Sequence, residues 1–216
     1  MRSSRGRPTS DTAEIPRGVY TSAVATVSAP AELYFTPDPE ANRLIASDPN
    51  ALLIGFALDQ QVTVQKAFAG PMVLKQRLGH LDPARIAAMP PDDLVAVFRD
   101  RPAIHRFPGA MAERVQSLCR DLAANYGGDG SRVWSEATSG QDMARRIGSL
   151  PGFGDMKVRS LVATLVKQFG VKPDGWEQVL PGHPTLGDVD SAEALAEYQA
   201  HKRARKQQAR ALKQRT

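Results

Sequence analysis

The segment Leu150-Pro151-Gly152-Phe153-Gly154 carries the residue types of an anion site built from backbone. Glycine permits a left-handed chain and lets another backbone come close, as a turn that touches phosphate requires. A helix predicted from about Asp155 aims its free N–H groups and the positive end of its dipole where the turn points. Lys157 and Arg159 add side-chain charge nearby, and Phe153 is expected to tuck inward and pin the flanking helices. A Gly-x-Gly alone would suit an ordinary tight αα-turn. Here the frame continues through Val158 into two further turns of amphipathic helix, and the pattern predicts contact with the DNA backbone.

The elements that must hold this turn read as helices. Val158, Leu161, Val162, Leu165, Val166 and Phe169 fall at i, i+3, i+4, i+7, i+8 and i+11, one face of a helix that stops at Gly170. With a short helix over 141–149 before the turn, the hairpin spans 141–169. Upstream, Asp48 caps a helix with Pro49 at its first position. That helix, predicted over 50–61, is apolar nearly all round and should be the central buried one. Others are expected at about 40–46, 64–78, 83–88, 92–99 and 111–125. A last helix starts near Ser191, with Asp190 or Ser191 as cap. Strand signals are weak, so the fold class is all-α. Residues 1–31, rich in Ser, Thr, Pro and Arg, read as a disordered basic leader with a loose strand over 19–27. Residues 32–200 form the helical domain and 201–216 a basic C-terminal tail.

Charge follows the same division. The chain carries +5, the segment Lys202 to Arg215 carries +7 without an acid, and the leader through Arg17 carries +2, leaving −4 for the middle. A polybasic end attracts phosphates in a salt-sensitive, sequence-independent way; the plainer reading is a solvated, solubilising tail. No apolar run is long enough for a transmembrane helix, and the basic N-terminus has no apolar stretch behind it, so no membrane partner is expected. The single cysteine, Cys119, excludes internal disulfides and an iron–sulfur ligand set. His80, His105, His183 and His201 show no metal-ligand or triad spacing. A cytoplasmic, nucleoid-associated monomer is the expectation.

Three segments together resemble the helix-hairpin-helix–Gly/Pro–Asp (HhH-GPD) superfamily of base-excision DNA repair proteins, and most of all its compact bacterial members. They are the Leu150–Gly154 hairpin, the segment Leu58-Asp59-Gln60-Gln61-Val62 at the end of the buried helix, and Phe107-Pro108-Gly109 leading into the helix that runs to Tyr126. The similarity covers roughly residues 33–200. It implies two helical lobes with a cleft between them and a DNA glycosylase that cuts the N-glycosidic bond of an extruded base. The target must leave the stack, because its C1′ is unreachable within a duplex.

By that resemblance Gln61, or Gln60 beside it, fills the hole left in the duplex; the bland alternative is two glutamines capping a helix end. The lyase lysine of the family falls at Met156, so a monofunctional hydrolase without lyase activity is implied. The family's carboxylate, eighteen residues on, falls at Asp174, which would stabilise an oxocarbenium-like sugar and orient a water. Its setting, Lys172-Pro173-Asp174-Gly175-Trp176, is equally a turn signal and departs from the family's Asp-x-His pattern. Trp176 is the best aromatic candidate for a base pocket. No cofactor is required; a potassium or sodium ion on the carbonyls of Leu150 and Phe153 is implied by resemblance. The rival expectation is a catalytically silent protein of the same fold that recognises DNA or its lesions without cutting.

Overall fold

The computed structural model describes residues 29–213, apart from the side chains of 205, 206 and 209–213. Of the predicted leader, residues 1–28 with the loose strand over 19–27 lie outside the described residues. The described chain is helical and contains no strand. Its helices are α1 (Pro39–Ser47), α2 (Pro49–Leu58), α3 (Val64–Leu78), α4 (Pro83–Ala88), α5 (Pro91–Arg99), α6 (Pro108–Tyr126), α7 (Arg132–Ser135), α8 (Gly140–Ser149), α9 (Asp155–Gln168) and α10 (Ala192–Lys213). Two single 3-10 turns, Trp176–Val179 and Leu186–Asp188, lie between α9 and α10.

Local chemistry starts many of these helices. Asp38, Asp48 and Asp82 precede Pro39, Pro49 and Pro83, and each carboxylate accepts first-turn N–H groups. The proline that follows loses nothing, since its missing N–H would have had no helical partner. Pro91 and Pro108 also stand at the first position of α5 and α6, there without a side-chain cap.

Helix α2 is buried along its whole length from Ala51 to Leu58, as an all-round apolar sequence requires. Phe56 meets Phe68 of α3 edge-on at 5.0 Å, and Phe68 meets Phe35 at 4.9 Å. Fully burying each such ring is worth roughly 1.5–3 kcal/mol. Helices α4 and α5 pack on α6, α2 lies against both α3 and α6, and α8 lies against α9. The buried hydrophobic residues form one connected cluster from Leu33 to Leu195.

Two elements differ from the sequence pattern. α2 stops at Leu58 rather than near Gln61, because the Asp59 N–H closes onto Gly55 O and Phe56 O and the Gln60 N–H turns back to Leu58 O. Helix α9 has two packed faces where the periodicity shows one. Leu161, Val162, Leu165 and Val166 enter the core, while Ala163 and Thr164 are covered from the other side. Gly187 presses so close there that a Cβ on it would stand 2.5 Å from the Ala163 carbonyl carbon. At the C-terminal end Ser191 Oγ accepts the Ala194 N–H, and α10 then continues unbroken to Lys213. The last helix, expected to start near Ser191 and run into the basic segment, does so as far as Lys213.

Candidate nucleic-acid interface

The turn between α8 and α9 is held by its own backbone. The Leu150 N–H bonds Ile147 O at 3.2 Å, and the Phe153 N–H bonds Leu150 O at 3.1 Å. Gly152 sits at φ +86, a left-handed conformation that side chains rarely adopt. Phe153 is buried beneath the turn, as expected. Gly154 is the N-cap of α9, and no side chain caps this helix, so its first N–H groups face outward with the positive end of the dipole. Gly152 and Gly154 are both exposed.

Arg114, two turns into α6, lies along the same turn. A Cβ on Gly152 would stand 2.7 Å from Arg114 Cδ. No carboxylate among the described residues pairs with Arg114. It adds an unneutralised cation to the hairpin that no sequence spacing links to Gly152. Arg159 is exposed on the second turn of α9.

Lys157 behaves differently from the outward charge that its position suggests. Its ammonium donates to the carbonyl of Ala57 at 2.9 Å, a residue 100 positions earlier, and lies 5.9 Å from the Phe153 ring centroid. Burial lowers its pKa to about 8, with Arg114 adding to that effect and Asp59 opposing it. Lys157 thus bridges the hairpin to the C-terminal end of α2, where the helix dipole is negative and carbonyls lack helical partners.

That end of α2 carries the predicted hole-filling residues. Gln61 is exposed and adopts φ +56, the one non-glycine positive φ among the described residues. Gln60 is half-buried, and its carbonyl is held at 3.0 Å by His105 Nε2. His105 Nδ1 accepts the Phe107 N–H at 3.0 Å, so the ring is neutral with its proton on Nε2. Burial lowers the His105 pKa, the bond to Gln60 opposes this, and Arg106 adds to it. Beside it Phe107 is 41 % exposed with the Arg106 guanidinium 4.7 Å above its ring. Met156, in the first turn of α9, is 64 % exposed. A cavity of about 180 Å³ opens next to Met156, between α9 and α10.

The structure therefore gathers Gln60, Gln61, Gly152, Gly154, Lys157 and Arg114 around one end of α2. Asp174 and Trp176 belong instead to a turn joined to the start of α8. The Asp174 carbonyl accepts the Gly140 N–H at 2.8 Å, which fixes its turn to the start of α8. Roughly 15 Å of helix separates that start from the hairpin. Asp174 is exposed. Trp176 is half-buried against Gly140, with Lys172 Nζ 5.2 Å from its ring centroid. Among the described residues no His, Cys, Asp or Glu group has the makings of a metal site. Cys119 is buried on α6, and burial pushes its thiol up to about 12, leaving it unreactive. No described helix is long and apolar enough to cross a membrane.

The chain matches no protein-family model, and no curated protein is significantly similar to it.

Proposed function

We propose that this chain binds duplex DNA through the α8–α9 hairpin and distorts it with the Gln60–Gln61 turn. The convergence of these two segments on one end of α2, tied by Lys157 to Ala57 and by His105 to Gln60, carries the reading. The uncapped start of α9 supplies N–H donors for a phosphate, and Arg114 and Arg159 supply charge. Gln61 projects beside them on a left-handed backbone, poised to occupy space in a base stack. Leu150 O accepts one hydrogen bond and keeps a second lone pair, so the Leu150 and Phe153 carbonyls suit a potassium or sodium ion between hairpin and phosphate. In this reading the helices up to α6 and those from α7 onward are the two lobes of an HhH-GPD arrangement, and the turn of Gln61 faces their junction.

The departure of Asp174-Gly175-Trp176 from the family's pattern favours recognition of DNA without hydrolysis. The strain at Gln61 is the observation that favours the second reading, a monofunctional glycosylase, because a pre-shaped wedge serves base extrusion. One experiment addresses both. Gly154→Ala meets nothing within 4 Å and keeps an ordinary φ, so it should fold normally yet weaken duplex binding at least fivefold by placing a methyl before the N–H groups. Gly152→Val should also weaken binding, but with loss of stability from the left-handed backbone and from Arg114. Unchanged affinity in folded Gly154→Ala would overturn the hairpin assignment. In parallel, duplexes bearing uracil, hypoxanthine, alkylated purines or oxidised guanine are assayed for abasic sites. Product that disappears in Asp174→Asn would establish the enzyme reading; no product with binding intact would leave recognition alone.

A further inference from the structure

The cavity beside Met156 has the chemistry of an anion pocket. Three separate elements wall it: Arg159 and Ser160 come from α9, His183 from the loop after the first 3-10 turn, and Tyr198, His201 and Lys202 from α10. No carboxylate lines it, and neither Arg159 nor Lys202 is paired with one among the described residues. Ser160 Oγ, behind this wall, is buried without a hydrogen-bond partner among the described residues. A volume of about 180 Å³ corresponds to roughly six waters, enough for one phosphate and part of a sugar.

We infer that this pocket takes a phosphate monoester, and that its source is the terminal phosphate of a broken DNA strand. The inference rests on the DNA reading above. An internal phosphodiester runs along a surface and carries one charge; a recess suits a chain end. A monoester carries close to two charges near neutral pH and offers three acceptor oxygens to Arg159, Lys202, His183 and His201. Met156, which lines the pocket, lies two residues after Gly154, so a strand gripped by the N–H groups of α9 would bring its end close.

The test is fluorescence anisotropy with the full chain and three duplexes of one sequence: intact, gapped by one nucleotide with hydroxyl ends, and gapped with a phosphate at the 5′ or 3′ edge. A phosphorylated gap is expected to bind at least fivefold tighter than the hydroxyl gap. In His183→Gln/His201→Gln that preference should fall below twofold while intact-duplex binding persists. Equal affinity for the two gaps, or a preference that survives the double substitution, would overturn the inference. Deoxyadenosine monophosphate or inorganic phosphate competing as well as the phosphorylated gap would overturn the strand-end source in favour of a free-phosphate site. Failure of the unaltered chain to bind the intact duplex would sink the DNA reading itself, whereas equal gaps with intact-duplex binding retained sink only the pocket.

Discussion

Gln61 holds φ +56 with an exposed side chain, and an L-residue in that region costs roughly 1–2 kcal/mol. The neighbouring bonds at Asp59, Gln60 and His105 over-determine the turn and keep it there. Glycine would relieve the strain but adds about 0.5–1 kcal/mol of freedom to the unfolded chain. Gln61→Gly should therefore leave urea stability unchanged or raise it by up to about 1.5 kcal/mol, while severalfold weakening binding to a mismatched duplex. A clear loss of stability would show instead that the glutamine contributes packing. Sequence spacing places the glutamines at a helix end but is blind to the backbone that presents them. The family resemblance marks Asp174 by counting along the chain. Counting cannot register that the Pro173–Gly175 turn is bonded back to Gly140, at the far end of α8.

Among the elements, the loop of His105 couples the turn after α2 to the start of α6. Replacing His105 by leucine leaves the part-buried Gln60 carbonyl and Phe107 N–H without this partner, a loss of about 1 kcal/mol. The ring stays neutral in the folded state because burial depresses its pKa below 6.5. The unfolded chain takes up that proton near 6.5 and the folded chain resists it, so stability falls as pH drops below 6.5. Chemical denaturation at pH 7.5 and 5.5 should show a smaller pH difference in His105→Leu than in the parent; an equal difference would remove His105 from the account. The helices themselves are largely readable, because Asp-Pro starts, the apolar run of α2 and the stripe on α9 are local signals. Helix α7 and the 3-10 turns are not. Their order comes from contacts distant in sequence, such as Gly187 on the α9 backbone, and no local periodicity encodes those. His105 is equally silent, since its partner lies 45 residues away.

At the scale of the molecule, α10 changes what the basic C-terminal end means. Lys202 and Arg203 line a hollow of about 300 Å³ shared with Val62, Thr63 and Val64, so the helix passes beside the turn of Gln61. Lys202 and Arg203 thereby bring positive charge beside the proposed interface. For each phosphate that the protein no longer neutralises, the slope of log affinity against log salt shrinks by about 0.9. Removing residues 204–216 takes away Arg205, Lys206, Arg210, Lys213 and Arg215 and should reduce that slope by at least about 1. The Tm should hold, because Ser191 and Leu195 anchor the helix earlier; an unaltered slope would return the segment to solubility alone. The bond from Lys157 to Ala57 has a consequence in time. A ribosome adding about 5–20 residues per second completes α2 roughly 5–20 s before Lys157 is made. Through that interval the carbonyl of Ala57 waits for its ammonium partner, and any fragment ending before α9 never acquires that bond.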